Sequence, residues 1–157
     1  KRPGIAERSV IKQATMDKNL SSLILSDPIF KLKLSIGETI SFLRFISKTD
    51  NFSKRLKGRI LIVQGLQDML VKPEGSARIF AKISTNEKQI FLDSRGEHLL
   101  LEQGQYSPEL LQSIIFWLND PNFQETPKIK VINKEADLAA KVQLRIVKFR
   151  KLAGFSD

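Results

Sequence analysis

The chain contains one histidine, His98, and its order relative to Asp68 indicates a site for proton transfer. An imidazole titrates near neutral pH and can therefore take a proton from a hydroxyl group. A carboxylate bonded to the other ring nitrogen fixes the tautomer and stabilises the imidazolium that forms. Taken singly, Asp68 is typical of a turn and His98 of a loop histidine bonded to the backbone. Together, in this order after two strands, they are predicted to form one acid–base pair.

Two predicted strands position these side chains. The first, Arg59–Val63, is apolar without polar alternation after its arginine, which is typical of a parallel strand buried on both faces, and Asp68 follows it. Pro73 begins a helix, and a second strand, Lys88–Leu92, leads into the loop that carries His98. Sites in open α/β sheets form beyond the carboxyl ends of the strands. We therefore expect the two side chains within hydrogen-bond reach, ~2.6–3.2 Å.

The segments around this pair resemble those of a known family. Ile60–Val71 resembles the strand and acid loop of α/β-hydrolases, and Gly96–Glu102 resembles their histidine loop. Within that family the resemblance is to the monoacylglycerol lipase and lysophospholipase branch. Ser26–Phe30 resembles a segment near the end of their cap, and Ser107–Leu118 resembles their last helix. The resemblance covers Ser26 to Asp120 and rests on the order and spacing of these segments together.

The sequence departs from that family at the nucleophile. The nucleophile elbow of the family, G-x-S-x-G, comes before the acid and the histidine, and no such pattern occurs here. The nearest segment, Glu74–Ala77, lies in a helix begun by proline and lacks the second glycine. The glycine-rich oxyanion loop is also missing. The resemblance therefore implies an α/β fold made of the C-terminal part of an α/β-hydrolase, and a start at Lys1 rather than methionine indicates a fragment, a processed product or a trimmed chain.

Two functions from different classes remain open. The resemblance implies hydrolysis of a carboxylic or lipid ester, such as a monoacylglycerol or a lysophospholipid, with Asp68 and His98 as acid and base and with a serine outside this chain. The chain alone is then expected to be inactive, and no cofactor is implied. The alternative is a non-catalytic pseudo-hydrolase that binds a lipid or a partner.

The chain is predicted to have three parts: a cap-derived helical segment at 1–58, a hydrolase core segment at 59–120, and a basic tail at 121–157. In the first part, Ser35 and Glu38 have the pattern of a capping box at a helix start. The apolar stripe of that helix is interpreted either as core packing or as an acyl-chain pocket. The predicted substrate-binding residues in and before it are Phe30, Leu34, Ile36 and Ile40.

The tail is predicted to contain an extended segment at Pro127–Ile132, followed by a basic amphipathic helix from Asn133 to about Ala153, ended by Gly154. Its apolar stripe is formed by Leu138, Val142, Ile146, Phe149 and Ala153. Such a helix can dock on the fold, pair with another chain or lie on an anionic membrane. A parallel pair of strands is not a stable sheet alone. We therefore expect the outer edge of the first strand to associate with another chain or to be covered by this tail helix.

Charge and composition indicate which classes of binding partner the chain favours. Residues 1–59 carry 13 basic and 5 acidic residues, residues 60–120 carry 5 and 8, and residues 121–157 carry 8 and 4. The basic flanks suit an anionic membrane surface, although a solvated surface is the ordinary interpretation. No basic motif interleaved with aromatic residues indicates a specific nucleic-acid partner. The sequence has no cysteine and no apolar run near the ~20 residues of a membrane span, so the expected location is cytoplasmic or membrane-peripheral.

Overall fold

A computed structural model of the chain describes residues 5–28, 35–102, 106–120, 127–133 and 140–155. Within these residues the chain forms seven helices and three strands, which confirms the predicted α/β class. The helices are α1 (Ile5–Ala14), α2 (Lys18–Ser26), α3 (Ile36–Ser47), α4 (Thr49–Ser53), α5 (Pro73–Lys82), α6 (Pro108–Asn119) and α7 (Ala140–Leu152). The strands are β1 (Ile60–Gly65), β2 (Lys88–Asp93) and β3 (Lys128–Ile132).

The strands form one parallel sheet in the order β1-β2-β3. In the register, Ile62 pairs with Ile90, and Ile90 pairs with Ile129. The third strand comes from the tail, where the sequence predicts only an extended segment. β2 therefore has a strand on each side, whereas the sequence predicted only β1 and β2 as strands.

Helices cover both faces of the sheet because β2 is apolar on both. Ile90 and Leu92 belong to a buried cluster with Phe80 of α5 and Phe149 of α7. Phe91, which points to the opposite face, is buried with residues of α6 and β3. Full burial of an aliphatic or phenyl side chain contributes ~1.5–3 kcal/mol. The central strand is therefore fixed by packing on two sides.

The tail helix α7 docks on the fold, which is one of the three predicted arrangements. Its buried or partly buried residues Val142, Ile146, Phe149 and Ala153 all belong to the cluster shared with α5. Gly154 ends the helix with a φ of +87°, a conformation that side chains with a Cβ rarely adopt. Leu138 lies outside the described residues, whereas Asn133, where the helix was predicted to begin, is described and follows β3 with a φ of +55°.

The tail helix does not replace a strand at the other edge of the sheet. Within the described part of the chain, β1 pairs with β2 alone, so its outer edge has no strand partner. The tail instead supplies β3 beside β2 and places α7 against α5. Association through the outer edge of β1 stays a prediction.

The helix α3 forms as predicted but packs differently. Ser35 accepts a hydrogen bond from the Glu38 N–H, and Glu38 accepts one from the Ser35 N–H, which completes the capping box. No residue of α3 is buried, and Ile36 is 82% exposed. The interpretation of its apolar stripe as core packing is therefore wrong. Helical periodicity shows that a face is apolar, but it does not show what covers that face.

Candidate functional site

The turn after β1 fixes the carboxylate of Asp68. Asp68 is buried, and its Oδ1 accepts hydrogen bonds from the backbone N–H groups of Leu70 at 2.9 Å and Val71 at 2.8 Å. An aspartate that binds its own following backbone stabilises a tight turn. The two bonds hold Oδ1 toward the turn and leave Oδ2 for another partner.

The loop after β2 carries His98 over the end of β1. The N–H of Gln67 donates to the carbonyl of Gly96 at 2.9 Å, so the two loops are bonded directly. Gly65 lies so close to this loop that a Cβ on it would overlap the carbonyl oxygens of Gly96 and Glu97. This approach of backbone to backbone requires glycine at the end of β1.

The end of α1 supports the same loop from the other side. The N–H of His98 donates to the carbonyl of Ala14 at 3.3 Å. Glu97 accepts a hydrogen bond from the N–H of Met16 at 2.9 Å, so its carboxylate ties the loop to the residues that follow α1. The N-terminal helices are therefore attached to the loop that presents the imidazole.

Asp68 and His98 lie side by side at the carboxyl ends of β1 and β2. The Nδ1 of His98 is 3.0 Å from the Oδ2 of Asp68. The aspartate side chain is 6% exposed and the imidazole is 31% exposed. The predicted proximity is confirmed. When the imidazole is neutral, a bond from Nδ1–H to the carboxylate leaves the lone pair on Nε2, where a hydroxyl proton can be accepted.

Gln64 is a member of the site that sequence reasoning missed. It is 4% exposed at the end of β1, and its Nε2 donates to the carbonyl of Gly65 at 2.9 Å and to the Oδ2 of Asp68 at 3.4 Å. Its Oε1 accepts a hydrogen bond from the hydroxyl of Ser76. The one available signal was a polar side chain at the end of an apolar strand, since buried polar groups need partners.

An apolar cleft adjoins the imidazole. Its volume is about 350 Å³, and it is lined by Val63, His98, Leu99, Leu100, Leu101 and Glu102. Ile36 and Ile40, two of the predicted substrate-binding residues, do not line it. The other two, Phe30 and Leu34, lie outside the described residues.

Two features are absent from the described residues, a metal-binding cluster and a membrane-spanning helix. They contain no group of three or more histidine, cysteine, aspartate or glutamate side chains arranged to hold a metal ion. None of the helices described is both long enough and apolar enough to cross a membrane.

Comparisons with known proteins leave the family undecided. No protein-family model matches the chain, and neither does any curated protein or any solved structure. The mixed α/β class and the Asp68–His98 pair therefore stand on the residues and coordinates alone.

Proposed function

We propose that this chain supplies the acid and the base of a serine hydrolase that cleaves carboxylic or lipid esters, with the serine on polypeptide outside these 157 residues. The observation that carries the proposal is the 3.0 Å contact between His98 Nδ1 and Asp68 Oδ2. The fold proposed with it is the C-terminal part of an α/β-hydrolase. In that fold, the acid and the histidine follow neighbouring strands after the nucleophile.

The mechanism follows from the tautomer that Asp68 selects. His98 Nε2 takes the proton of the serine hydroxyl while the serine oxygen attacks the ester carbonyl, and Asp68 stays ionised beside the imidazolium. The same Nε2–H then donates its proton to the departing alkoxide, which leaves an acyl-serine. Water then attacks that acyl group while His98 takes a proton from the water, and the imidazolium returns this proton to the departing serine oxygen. The acid is released, and the serine hydroxyl and the neutral imidazole are restored.

The cleft beside His98 supports a lipid ester as substrate. Its lining is mainly leucine and valine, and one end is formed by the imidazole. Apolar side chains favour an acyl chain, while few polar groups are needed to orient an ester. We therefore propose a monoacylglycerol or a lysophospholipid as the substrate class.

The first test uses the purified chain alone. It is expected to hydrolyse p-nitrophenyl and monoacylglycerol esters no faster than background, because it has a base without a serine nucleophile. The sequence also lacks the glycine-rich oxyanion loop, and an oxyanion donor contributes ~2.7–4 kcal/mol in acyl transfer. Turnover by this chain that His98→Ala abolishes would show that it contains its own nucleophile.

The decisive test supplies the serine. The chain is expressed together with the polypeptide encoded upstream of Lys1 and treated with a fluorophosphonate, which labels activated serines. We expect labelling and ester turnover that fall by about 10⁴-fold in D68N, whose carboxamide no longer selects the tautomer. Glu87→Gln, in the bend before β2 and not among the residues that line the cleft, is the matched control and should keep turnover. Labelling that is unchanged by His98→Ala would overturn the proposal.

One observation favours the second function, a non-catalytic protein that binds a lipid or a partner. Every residue of α3 is exposed, including Phe42 at 54% and Phe45 at 63%. Contiguous exposed apolar surface marks interaction sites. The exposed lysines of α7, such as Lys148 and Lys151, support peripheral contact with an anionic membrane by charge.

Vesicle flotation tests this second function. If α3 binds lipid, F42D should lose flotation with anionic vesicles, because a carboxylate at that position cannot enter the acyl region. S41D adds the same charge on the same helix and should keep it. Flotation that is equally lost in both variants, or absent from the wild-type chain, would exclude lipid binding through α3.

A further inference from the structure

A network of hydrogen bonds at the end of β3 reaches the loop that carries His98. Asn133, the residue after β3, has a φ of +55°. Its backbone carbonyl accepts from the Ser94 hydroxyl at 2.6 Å, and its backbone N–H donates to Glu109 at 3.2 Å. Its side-chain amide donates to both carboxylate oxygens of Asp93 at 3.0 Å and to the Ser107 hydroxyl at 3.1 Å. Asn133 is thus bonded through its backbone and its side chain.

Asp93 transmits this contact to the loop. It is 3% exposed, and its Oδ1 also accepts from the N–H groups of Arg95 at 2.9 Å and Gly96 at 2.9 Å. The Asn133 amide is the one side-chain donor to this carboxylate among the described hydrogen bonds. A buried carboxylate that loses a donor must find water or move, because its charge is costly to bury without partners.

The backbone between Asp93 and His98 is closely packed and has little room to move. A Cβ on Gly96 would overlap the side chains of Leu100 and Asp93, so the loop is closely packed at this point. The carbonyl of Gly96 is bonded to Gln67, next to Asp68 in the chain. A shift of Asp93 therefore moves the backbone that aligns the imidazole with its carboxylate.

We propose that Asn133 is a positioning residue for His98, so that the Asp68–His98 pair is aligned only when the C-terminal strand is in place. The inference rests on the proposed function, because it assigns Asn133 to that same site. It also goes beyond the resemblance to α/β-hydrolases, which ends at Asp120. The tail would then complete the site as well as the sheet.

The test reads the imidazole directly, because His98 is the only histidine. In ¹⁵N-histidine-labelled protein at a pH where imidazole is neutral, the wild-type chain should show the single tautomer with the proton on Nδ1. Asn133→Gly keeps a residue that tolerates the positive φ and removes the amide. We expect it to replace that pattern by the averaged nitrogen shifts of a free imidazole. A fold that is intact by amide dispersion makes this loss specific to the site.

Two further variants complete the design. Asn133→Asp keeps the shape of the side chain and places a second carboxylate against Asp93, so it should also lose the nitrogen shifts of the single tautomer. This variant replaces Asn133→Gly in the test if Asn133→Gly does not fold. Asn86→Gly, the same substitution in the exposed turn before β2, should keep the wild-type shifts.

The outcomes separate this inference from the proposed function. A folded Asn133 variant with wild-type nitrogen shifts, in a protein where D68N changes them, overturns the positioning role and leaves the proposed function standing. Shifts that D68N does not change would mean that Asp68 does not hold His98 in solution, and both proposals would then fail.

Discussion

At the residue scale, the two oxygens of Asp68 have different tasks. Oδ1 holds the turn through two backbone N–H groups, and Oδ2 faces His98 and Gln64. The position of the carboxylate is therefore fixed by its own turn and does not depend on His98. In the proposed mechanism, an orienting group held in this way needs no rearrangement when charge develops on the imidazole.

Gly65→Ala tests the close approach of the two loops. The added methyl would overlap the backbone of Gly96 and Glu97, which cannot rotate away as a side chain can. We expect a loss of ~1–3 kcal/mol in the free energy of unfolding, the usual cost of overpacking, together with displacement of His98. Urea denaturation measures the first and the imidazole nitrogen shifts measure the second.

Gly75→Ala is the matched control for that substitution. A Cβ at Gly75, in α5, would meet no atom within 4 Å. Alanine is favoured over glycine in helices by ~0.5–1 kcal/mol, so this variant should be slightly more stable than the wild type. Equal destabilisation of both variants would contradict the close approach at Gly65.

At this scale the sequence predicted Asp68 and His98, whose side chains are typical of acid–base chemistry. It did not predict the residues that form hydrogen bonds around them. Asp68 and His98 follow predicted strands, so the common edge of a parallel sheet brought them together. The side chains of Gln64 and Asn133 are not typical of acid–base chemistry. Their roles depend on contacts with residues that are distant in the chain, such as the bond between Asn133 and Asp93.

At the element scale, α7 is the part of the tail that contributes most to the core. Phe149 is 1% exposed, whereas Leu144 on the same helix is 69% exposed. Phe149→Ala should lower the free energy of unfolding by ~3–5 kcal/mol because it leaves a cavity beside Phe80. Leu144→Ala should change it by no more than ~0.5 kcal/mol. Similar effects in urea denaturation would mean that α7 does not dock as described.

A salt bridge between α5 and α7 gives stability a pH dependence. Lys148 donates to Glu74 at 2.8 Å, and this hydrogen bond lowers the pKa of Glu74 below its ordinary value of 4.5. A carboxylate with a lowered pKa stabilises the fold above its ordinary pKa, and this contribution is lost as the pH falls through the lowered value. Because Lys148 is 64% exposed, the contribution is no more than ~1 kcal/mol.

Lys148→Gln should remove that contribution. Its free energy of unfolding should be lower than that of the wild type at neutral pH, and the difference should vanish below the lowered pKa of Glu74. Lys151→Gln removes an equal charge from the same helix and should show no such trend. A constant difference across this pH range would argue against the ion pair.

The elements were predictable where one local signal dominated. The continuous apolar runs of β1 and β2, the capping box of α3 and Gly154 after α7 each specify structure within a few residues. In β3, exposed Lys128 and Lys130 alternate with partly buried Ile129 and Val131, and Ile132 is fully buried. This segment of five residues forms a strand only once β2 is beside it. The pairing of β3 depends on a strand that is distant in the chain, so the local sequence contains only a weak signal for it.

At the scale of the whole molecule, the described residues of the tail, 127–133 and 140–155, share one sheet and one core with β1, β2 and α5. Deletion of Pro127–Asp157 should therefore expose one edge of β2 together with the cluster around Phe80 and Ile90. We expect the shortened chain to associate, as measured by light scattering, because unpaired apolar strand edges template further pairing. A shortened chain that stays monomeric and unfolds cooperatively would contradict this.

The order of strands in the sheet has a consequence for biosynthesis. The ribosome releases β1, Asp68, β2 and His98 before it releases β3, so both groups of the site leave the exit tunnel while the sheet still lacks its last strand. Parallel pairing over such separations along the chain is slow compared with helix formation. If Asn133 positions His98 as proposed, a nascent chain has no aligned Asp68–His98 pair until Asn133 has left the exit tunnel.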